Sequence, residues 1–330
     1  MEWQDLPWSK QLAMGLETPA ALLRFVGLSP DNFDTQQAHQ AFKTRVPHSF
    51  AARIQKNNPY DPLLKQVLAL DSEMQDAPGY HNDPLKEQAE ANPIPGVLHK
   101  YQGRLLLMLS GSCAINCRYC FRRHFPYHEN RLSPHHLGAA LAYIQKESAL
   151  SEIILSGGDP LMLKDTLLSP ILKALEEISH IKRVRIHTRL PVVLPARITP
   201  ELIQLLSPTR LHTVMVLHIN HAQECNDELA QALLPLKHAG IPLLNQSVLL
   251  KGVNDTLEAL VTLSERLFEM GVLPYYLHLL DQVKGAQGFE VPQDQAKTLY
   301  HGLQTALPGY LVPKCVREVP GVLHKVGMFA

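Results

Sequence analysis

Six short apolar runs alternate with amphipathic stretches of helical length after residue 98, and this alternation constrains the fold most. These runs are predicted to be buried strands of a parallel sheet. Several intervening stretches begin where a cap residue precedes proline, a helix-start signal. Six β-α units predict an α/β fold, an open or partial parallel barrel. The runs are RLLLMLS (104–110), EIILSGG (152–158), RVRIHTR (183–189), TVMVLH (213–218), PLLNQS (242–247) and LPYYLH (273–278).

The first 98 residues have an irregular helical pattern. Helix starts are predicted at Thr18-Pro19 and Asp61-Pro62, where a cap residue precedes proline. The polar, proline-containing stretch 71–95 predicts an arm or linker. We therefore expect three segments: a helical extension and arm (1–98), the partial barrel (99–310) and a short C-terminal segment (311–330).

Polar residues follow the predicted strands. In parallel barrels, reactive groups lie where the chain leaves the carboxyl ends of the strands, so these residues are predicted to share one rim. After the first strand comes a loop with three cysteines. The later strands are followed by Ser156-Gly157-Gly158-Asp159, Thr188-Arg189, His218, Asn245-Gln246 and Asp281.

The cysteine loop contains Cys113, Cys117 and Cys120 in a CxxxCxxC spacing. Three such thiolates can each bind one iron of a [4Fe-4S] cluster and leave the fourth iron without a protein ligand. A zinc site is an alternative, with His124 or His128 as fourth ligand. Three unrelated buried thiols are a second alternative.

Composition limits the classes of molecule that the protein is expected to bind. The chain has 31 basic and 31 acidic residues, so no general attraction to nucleic acid or anionic lipid is expected. An odd count of five cysteines, three of them in eight positions, indicates a metal site in a reducing compartment rather than a disulfide framework. The N-terminal residues do not have the pattern of a signal peptide, and no membrane-spanning stretch is apparent. We expect a cytoplasmic protein with a small-molecule substrate.

Six further motifs follow one another along the chain. They are GSCAINCRYCFRRHFPY (111–127), LSGGDPL (155–161), TRLPVVLPARITPEL (188–202), LHINH (217–221), NQSVLLKGVND (245–255) and PYYLHLLD (274–281). In this order they resemble the lysine 2,3-aminomutase family of radical S-adenosylmethionine enzymes, and the resemblance covers nearly everything from His99 to Lys325. The segment RVPHSFAARI (45–54) and the absence of an extended C-terminal region are similar to the branch that supplies β-lysine for modifying elongation factor P.

This resemblance implies three cofactors. The cysteines would hold a [4Fe-4S] cluster whose open iron binds S-adenosyl-L-methionine. Residues implied to contact S-adenosylmethionine are Tyr119, Ser156, Gly157, Gly158, Asp159, His218 and Gln246. Pyridoxal 5'-phosphate would bond to Lys325 in the C-terminal segment, with Lys100, Tyr101 and Arg104 gripping its phosphate and ring. The family has a glycine run before this lysine, whereas this chain has Val322-Leu323-His324.

The resemblance also implies the substrate. Arg122 would pair with the carboxylate of L-lysine, and Asp281 and Glu318 with its ε-ammonium, Glu318 standing where the family has aspartate. The implied reaction is isomerisation to (R)-β-lysine. It further implies an electron donor such as flavodoxin, a functional link to elongation factor P and its lysyl ligase, and a homo-oligomer. The alternatives are an aminomutase for another amino acid, a radical enzyme without pyridoxal phosphate, and a zinc-binding interaction protein.

Overall fold

The computed structural model describes residues 3–87, 91–130, 132–207 and 209–329. Within them the strands form a single sheet, in which neighbours follow chain order from one edge to the other. The strands are β1 (Val97–Tyr101), β2 (Arg104–Ser110), β3 (Glu152–Gly157), β4 (Arg183–Thr188), β5 (His212–His218), β6 (Leu243–Val248), β7 (Leu273–His278), β8 (Lys314–Arg317) and β9 (Val326–Gly327).

Strands β2 to β8 are parallel, and β1 and β9 are antiparallel strands at the two edges. The six predicted strands are β2 to β7, each within one residue of the predicted bounds, so the predicted partial α/β barrel is confirmed. The sequence did not predict β1, β8 or β9. The parallel part therefore has a seventh strand, β8, which leads into the C-terminal segment.

The helices lie in the N-terminal extension, between the strands, and before β8. In the extension and the cysteine loop they are α1 (Trp8–Ala13), α2 (Pro19–Phe25), α3 (Gln36–Ala41), α4 (His48–Ala51), α5 (Pro62–Val67) and α6 (Tyr127–Asn130). The others are α7 (Pro134–Lys146), α8 (Asp165–Glu176), α9 (Leu190–Val193), α10 (Pro200–Leu206), α11 (Asp227–His238), α12 (Leu257–Glu269) and α13 (Gln293–Ala306).

The predicted cap residues begin these helices as expected. The Thr18 hydroxyl accepts a hydrogen bond from a backbone N–H of α2, and Thr199 does the same for α10. Asp61 accepts two backbone N–H groups of α5, at 2.8 and 3.0 Å. A side-chain cap of this kind stabilises a helix by about 1 kcal/mol. The predicted helix starts at Thr18-Pro19 and Asp61-Pro62 are confirmed.

The N-terminal helices share one apolar core with the barrel. Leu22, Phe50 and Leu63 are fully buried in the same cluster as Leu107 of β2 and Ile186 of β4. Each leucine buried in this way contributes roughly 1.5–3 kcal/mol relative to an exposed one. The extension therefore packs against the barrel, while the division at residues 98 and 310 stays a prediction. In the described ranges no helix is long and apolar enough to cross a membrane.

Candidate active site

A cavity of about 460 Å³ opens at the carboxyl ends of the parallel strands and extends into the interior of the partial barrel. It collects polar side chains from the loops after these strands, as the rim prediction required. Asn245 is an exception, because its buried side chain lies outside the cavity and donates to the Ile219 carbonyl and to Ser247 Oγ. Every site residue predicted from the sequence lines this cavity, although their individual roles remain predictions. They are Lys100, Tyr101, Arg104, Cys113, Cys117, Tyr119, Cys120, Arg122, Ser156, Gly157, Gly158, Asp159, His218, Gln246, Asp281, Glu318 and Lys325.

The start of the cysteine loop is held against the turn after β3. The backbone N–H groups of Gly158 and Asp159 donate to the carbonyl oxygens of Ser110 and Ser112, at 2.7 and 3.0 Å. A Cβ on Gly158 would lie 2.5 Å from the Ser112 oxygen, so only glycine allows this approach. The GGD motif therefore fixes the position of the loop that carries the thiols.

The three cysteine thiols are free and partly accessible from the cavity. Burial raises the pKa of Cys113 well above its usual value, and burial followed by the charge of Cys117 raises the pKa of Cys120 to about 11. Without a cation the Cys113 and Cys120 thiols stay protonated, and binding iron would displace their protons. Three soft sulfur donors beside an open cavity fit a cluster that has one iron without a protein ligand.

The histidines considered as a fourth zinc ligand are engaged elsewhere. His124 Nε2 lies 3.0 Å from the Lys284 carbonyl oxygen, and the His128 side chain is 80% exposed beside Glu129. Among the described residues, no three His, Cys, Asp or Glu side chains are arranged to hold one metal ion. The geometry thus favours separate iron ligands over a mononuclear zinc site.

The N-terminal extension clamps the cysteine loop from outside the cavity. Glu73 is buried and bonds to two loop arginines: Oε1 lies 2.8 Å from Arg118 Nε, and Oε2 lies 3.1 Å from Arg123 Nη1. The Arg118 backbone N–H also donates to the Gln66 carbonyl at 3.0 Å. No sequence pattern predicts this clamp, because Glu73 lies in an ordinary polar stretch 45 residues before Arg118.

We expect Glu73→Gln to loosen the cysteine loop. Breaking a buried ion pair from one side costs about 3–5 kcal/mol, because the remaining charge stays buried without compensation. Urea unfolding of the cluster-loaded protein should show this loss, and iron should pass to a chelator faster than from the wild type. Glu17→Gln is the control, since Glu17 forms an exposed 3.8 Å pair with Arg45 of the same extension. Equal effects of both variants would contradict the clamp.

Tyr119 and His218 lie side by side next to the cysteines. The Tyr119 hydroxyl is 3.3 Å from His218 Nε2, and the ring centroids are 5.7 Å apart. Burial, with the charge of Arg189, lowers the pKa of His218 to about 3, so the imidazole is neutral. An aromatic ring and a neutral imidazole beside the thiols fit the adenosyl part of S-adenosylmethionine.

The Asp159 carboxylate is used to build the rim. It accepts hydrogen bonds from Thr188 Oγ1 at 2.7 Å and from the backbone N–H groups of Leu161, Arg189 and Leu190 at 2.8 to 3.0 Å. These bonds tie the turn after β3 to the start of α9. Asp159 therefore lines the cavity while its carboxylate shapes the turn, and its predicted contact with S-adenosylmethionine stays a prediction.

Arg189 links the cysteine loop to Gln66 of the N-terminal extension and to Glu224, which follows β5. Its Nη1 donates to Cys117 Sγ at 2.8 Å, and its Nη2 donates to Gln66 at 2.8 Å and to Glu224 at 2.9 Å. Its side chain is buried. The strand-end rule predicted Arg189 as a rim residue, but no role was predicted for it from the sequence.

A chain of ion pairs crosses the other side of the cavity. Lys325 Nζ lies 2.7 Å from Glu318 Oε2, and Lys100 Nζ lies 2.9 Å from Glu318 Oε1 and 2.8 Å from Glu87 Oε1. Glu87 then pairs with Arg122, with Oε2 at 2.6 Å from Nε and Oε1 at 2.9 Å from Nη2. This ion-pair chain joins the predicted cofactor lysine to the predicted carboxylate-binding arginine. The sequence did not single out Glu87.

The two predicted ammonium-binding acids differ in charge state. Burial disfavours the charged form of Glu318, but Lys325 and Lys100 hold its pKa well below the usual range. Burial, followed by the charge of Glu318, raises the pKa of Asp281 to about 7. Within the described residues the Asp281 carboxylate forms no ion pair. It is therefore the acid that remains available to an incoming ammonium group.

The C-terminal turn accommodates the missing glycine run. Gly321 has φ of +80° and supplies the left-handed residue of the turn, while Leu323 and His324 are exposed and do not have positive φ. A primary amine at Lys325, the cations of Lys100 and Arg104, and the Tyr101 and Tyr276 rings surround this end of the cavity. This set fits a phosphorylated aromatic aldehyde such as pyridoxal phosphate.

The chain is similar to several known proteins. A family model described as the Radical SAM superfamily matches residues 107–263. The L-lysine 2,3-aminomutase of Haemophilus influenzae is 50% identical over 323 residues, covering 98% of this chain and 95% of that protein. That of Escherichia coli is 48% identical over 316 residues, covering 95% and 92%. A solved radical SAM methyltransferase from Sphaerobacter thermophilus has a TM-score of 0.47 and 18% identity, covering 67% of this chain and 68% of that one.

The extent and level of identity to these relatives assign the family that the motifs predicted. The chain belongs to the lysine 2,3-aminomutase family of radical S-adenosylmethionine enzymes.

Proposed function

We propose that this enzyme is a pyridoxal-phosphate-dependent aminomutase that converts L-α-lysine to (R)-β-lysine. One observation carries the proposal: Arg122, Asp281 and Glu318 line the same cavity as Lys325 and the cluster cysteines. These residues supply a cation, Arg122, for a carboxylate and an acid, Asp281, for a distal ammonium. Glu318, which Lys325 and Lys100 bind, adds negative charge near Asp281. The arrangement matches the charges of lysine. The two relatives above, both called L-lysine 2,3-aminomutase, support the same substrate.

Each group of residues has a distinct task in this proposal. The three cysteines hold the cluster, Lys325 bonds to the cofactor aldehyde, and Arg122 binds the substrate carboxylate. When bound, the cluster with S-adenosylmethionine supplies a radical that removes hydrogen from the β-carbon, and pyridoxal phosphate supplies the double bond through which nitrogen migrates. The chain itself positions the lysine and excludes water.

The proposal is tested by substrate choice. Anaerobically reconstituted protein with reductant, S-adenosylmethionine and pyridoxal phosphate is given L-lysine, L-arginine or L-glutamate, and α and β isomers are separated by chromatography. L-lysine should be preferred by at least about 100-fold in kcat/KM over glutamate, since glutamate would bring a second negative charge to the two acids. Preference for glutamate or arginine would overturn the lysine assignment. Colourless protein containing zinc, without iron or sulfide, would overturn the radical chemistry.

Asp281 gives the proposal a pH signature. Its pKa is raised to about 7 by burial and by Glu318, so the carboxyl is mostly neutral below pH 6 and charged above pH 8. An ammonium group binds the charged form, so kcat/KM for L-lysine should rise about tenfold per unit as pH approaches 7 from below and level off above it. The kcat/KM of the Asp281→Asn variant should not show this rise as pH approaches 7. A flat wild-type profile between pH 6 and 8 would contradict the role of Asp281.

The proposal extends to the use of the product. We infer that the β-lysine is attached to elongation factor P by its lysyl ligase, with support from the resemblance of segment 45–54 to that branch of the family. An assay with elongation factor P, the ligase and the purified product tests this, since α-lysine should be a poorer donor. A flavodoxin-type electron donor, a homo-oligomer and a cytoplasmic location are further parts of the proposal.

A further inference from the structure

Glu87 is a buried carboxylate that the proposed function does not use. Its side chain is 4% exposed and contacts two cations, Arg122 and Lys100. Burial alone would raise the pKa of Glu87, but the two cations hold it below the usual value. Glu87 is therefore charged. It links Arg122, which is predicted to bind the substrate carboxylate, to Lys100, which is predicted to bind pyridoxal phosphate.

The contact with Arg122 uses only one edge of the guanidinium. The Glu87 oxygens bond to Nε and Nη2, the side-on edge. The end-on edge is formed by Nη1 and Nη2. Among the described residues, its hydrogen-bond contacts are the Nη2 bond to Glu87 already named and a 3.5 Å contact from Nη1 to the Gly157 carbonyl. A guanidinium offers two edges to carboxylates, so a second carboxylate can bind Arg122 without displacing Glu87.

The arm aims Glu87 inward with a strained backbone. Lys86 has φ of +51°, a conformation that residues other than glycine seldom adopt. Its neighbours are anchored, since Leu85 is buried and the Glu87 backbone N–H donates to Asp83 Oδ1 at 3.0 Å. An exposed loop would relax this strain, so the packing of the arm holds Glu87 in place.

We propose that Glu87 is a positioning residue that holds Arg122 by its side-on edge and presents the end-on edge to the α-carboxylate of the substrate. By binding Lys100 with the same carboxylate, it fixes the carboxylate-binding side of the cavity relative to the cofactor side. This inference rests on the proposed function, because it takes Arg122 as the group that binds the substrate carboxylate.

The test measures binding of L-lysine and L-lysinamide to enzyme loaded with cluster, S-adenosylmethionine and pyridoxal phosphate, without reductant. Glu87→Gln should weaken L-lysine by about 10- to 100-fold, as loss of a charge-assisted hydrogen bond predicts, and L-lysinamide less than about twofold. In turnover, KM should rise while kcat at saturation stays nearly constant. The control, Asp76→Asn, changes an acid on the same arm whose side chain is 80% exposed, and it should alter the affinity for neither ligand.

Several outcomes would overturn the inference. Equal weakening of both ligands would make Glu87 only structural, and unchanged or tighter L-lysine binding would make it irrelevant or a competitor of the substrate. Glu87→Asp keeps the charge on a shorter side chain, so it should bind L-lysine more tightly than Glu87→Gln and less tightly than the wild type. If Glu87→Gln does not fold, Glu87→Asp becomes the test. An affinity for L-lysine equal to that of the wild type would then count against the inference. Wild-type enzyme that binds lysine but forms no β-lysine would contradict the proposed function and leave the role of Glu87 standing.

Discussion

Replacing Cys117 with alanine should yield a folded protein that makes no detectable β-lysine and retains far less iron and sulfide after anaerobic reconstitution. Two cysteines, Cys113 and Cys120, cannot by themselves hold a cluster that needs three protein ligands. The acceleration that an enzyme gives a difficult reaction is at least about 10⁶-fold, and all of the radical chemistry here depends on the cluster. The loss should therefore be complete within the range of the assay.

Iron content and the electron paramagnetic resonance signal of the reduced cluster check this prediction directly. The matched control is Cys225→Ala, because Cys225 is buried but does not line the cavity. It should retain iron and activity, with a modest loss of stability from the small void. Full iron content and turnover in Cys117→Ala would mean that the cluster is not held by this loop.

Replacing Lys325 with alanine has the second largest expected effect. The visible absorbance of bound pyridoxal phosphate should disappear, and β-lysine formation should fall at least about 1,000-fold, because a tethered reactant has an effective molarity of about 10⁵ M or more. Lys325 is the primary amine at the end of the ion-pair chain, 2.7 Å from Glu318. Its loss also leaves Glu318 with Lys100 as its remaining cation.

One further variant separates the role of the Lys325 amine from that of its positive charge, and a second variant is a control. Lys325→Arg keeps a cation beside Glu318 but lacks the primary amine, so it should also lose the absorbance. Lys314→Ala removes an exposed lysine at the start of β8 and should change nothing. Absorbance that survives in Lys325→Ala would indicate another lysine or a radical enzyme without pyridoxal phosphate.

The parts of the fold that the sequence predicted depend on local patterns. Each of β2 to β7 is a six- or seven-residue segment with an apolar run or apolar alternation, and a cap residue followed by proline starts α2, α5 and α10. Strands β1, β8 and β9 have two to five residues, too few to show a period. They form because the sheet offers them an edge, which is a property of the folded chain.

The residues that the sequence missed act through long-range ion pairs. Glu87 lies 35 residues before Arg122, and Glu73 lies 45 residues before Arg118. A lone glutamate in a polar arm is usually solvated, so nothing local distinguishes Glu73 or Glu87 from its neighbours. The strand-end rule located the cavity, because its residues follow strands that the pattern had already defined.

The most direct test of the central claim, a shift of the amino group within one lysine molecule, uses L-lysine labelled with ¹⁵N at the α-amino group and ¹³C at the β-carbon. Reconstituted enzyme is incubated anaerobically with this substrate, and the product is examined by nuclear magnetic resonance. The account predicts β-lysine with a one-bond ¹³C–¹⁵N coupling, so that nitrogen is retained and attached to the β-carbon. Release of the ¹⁵N as ammonium, or nitrogen that stays on the α-carbon, would contradict it.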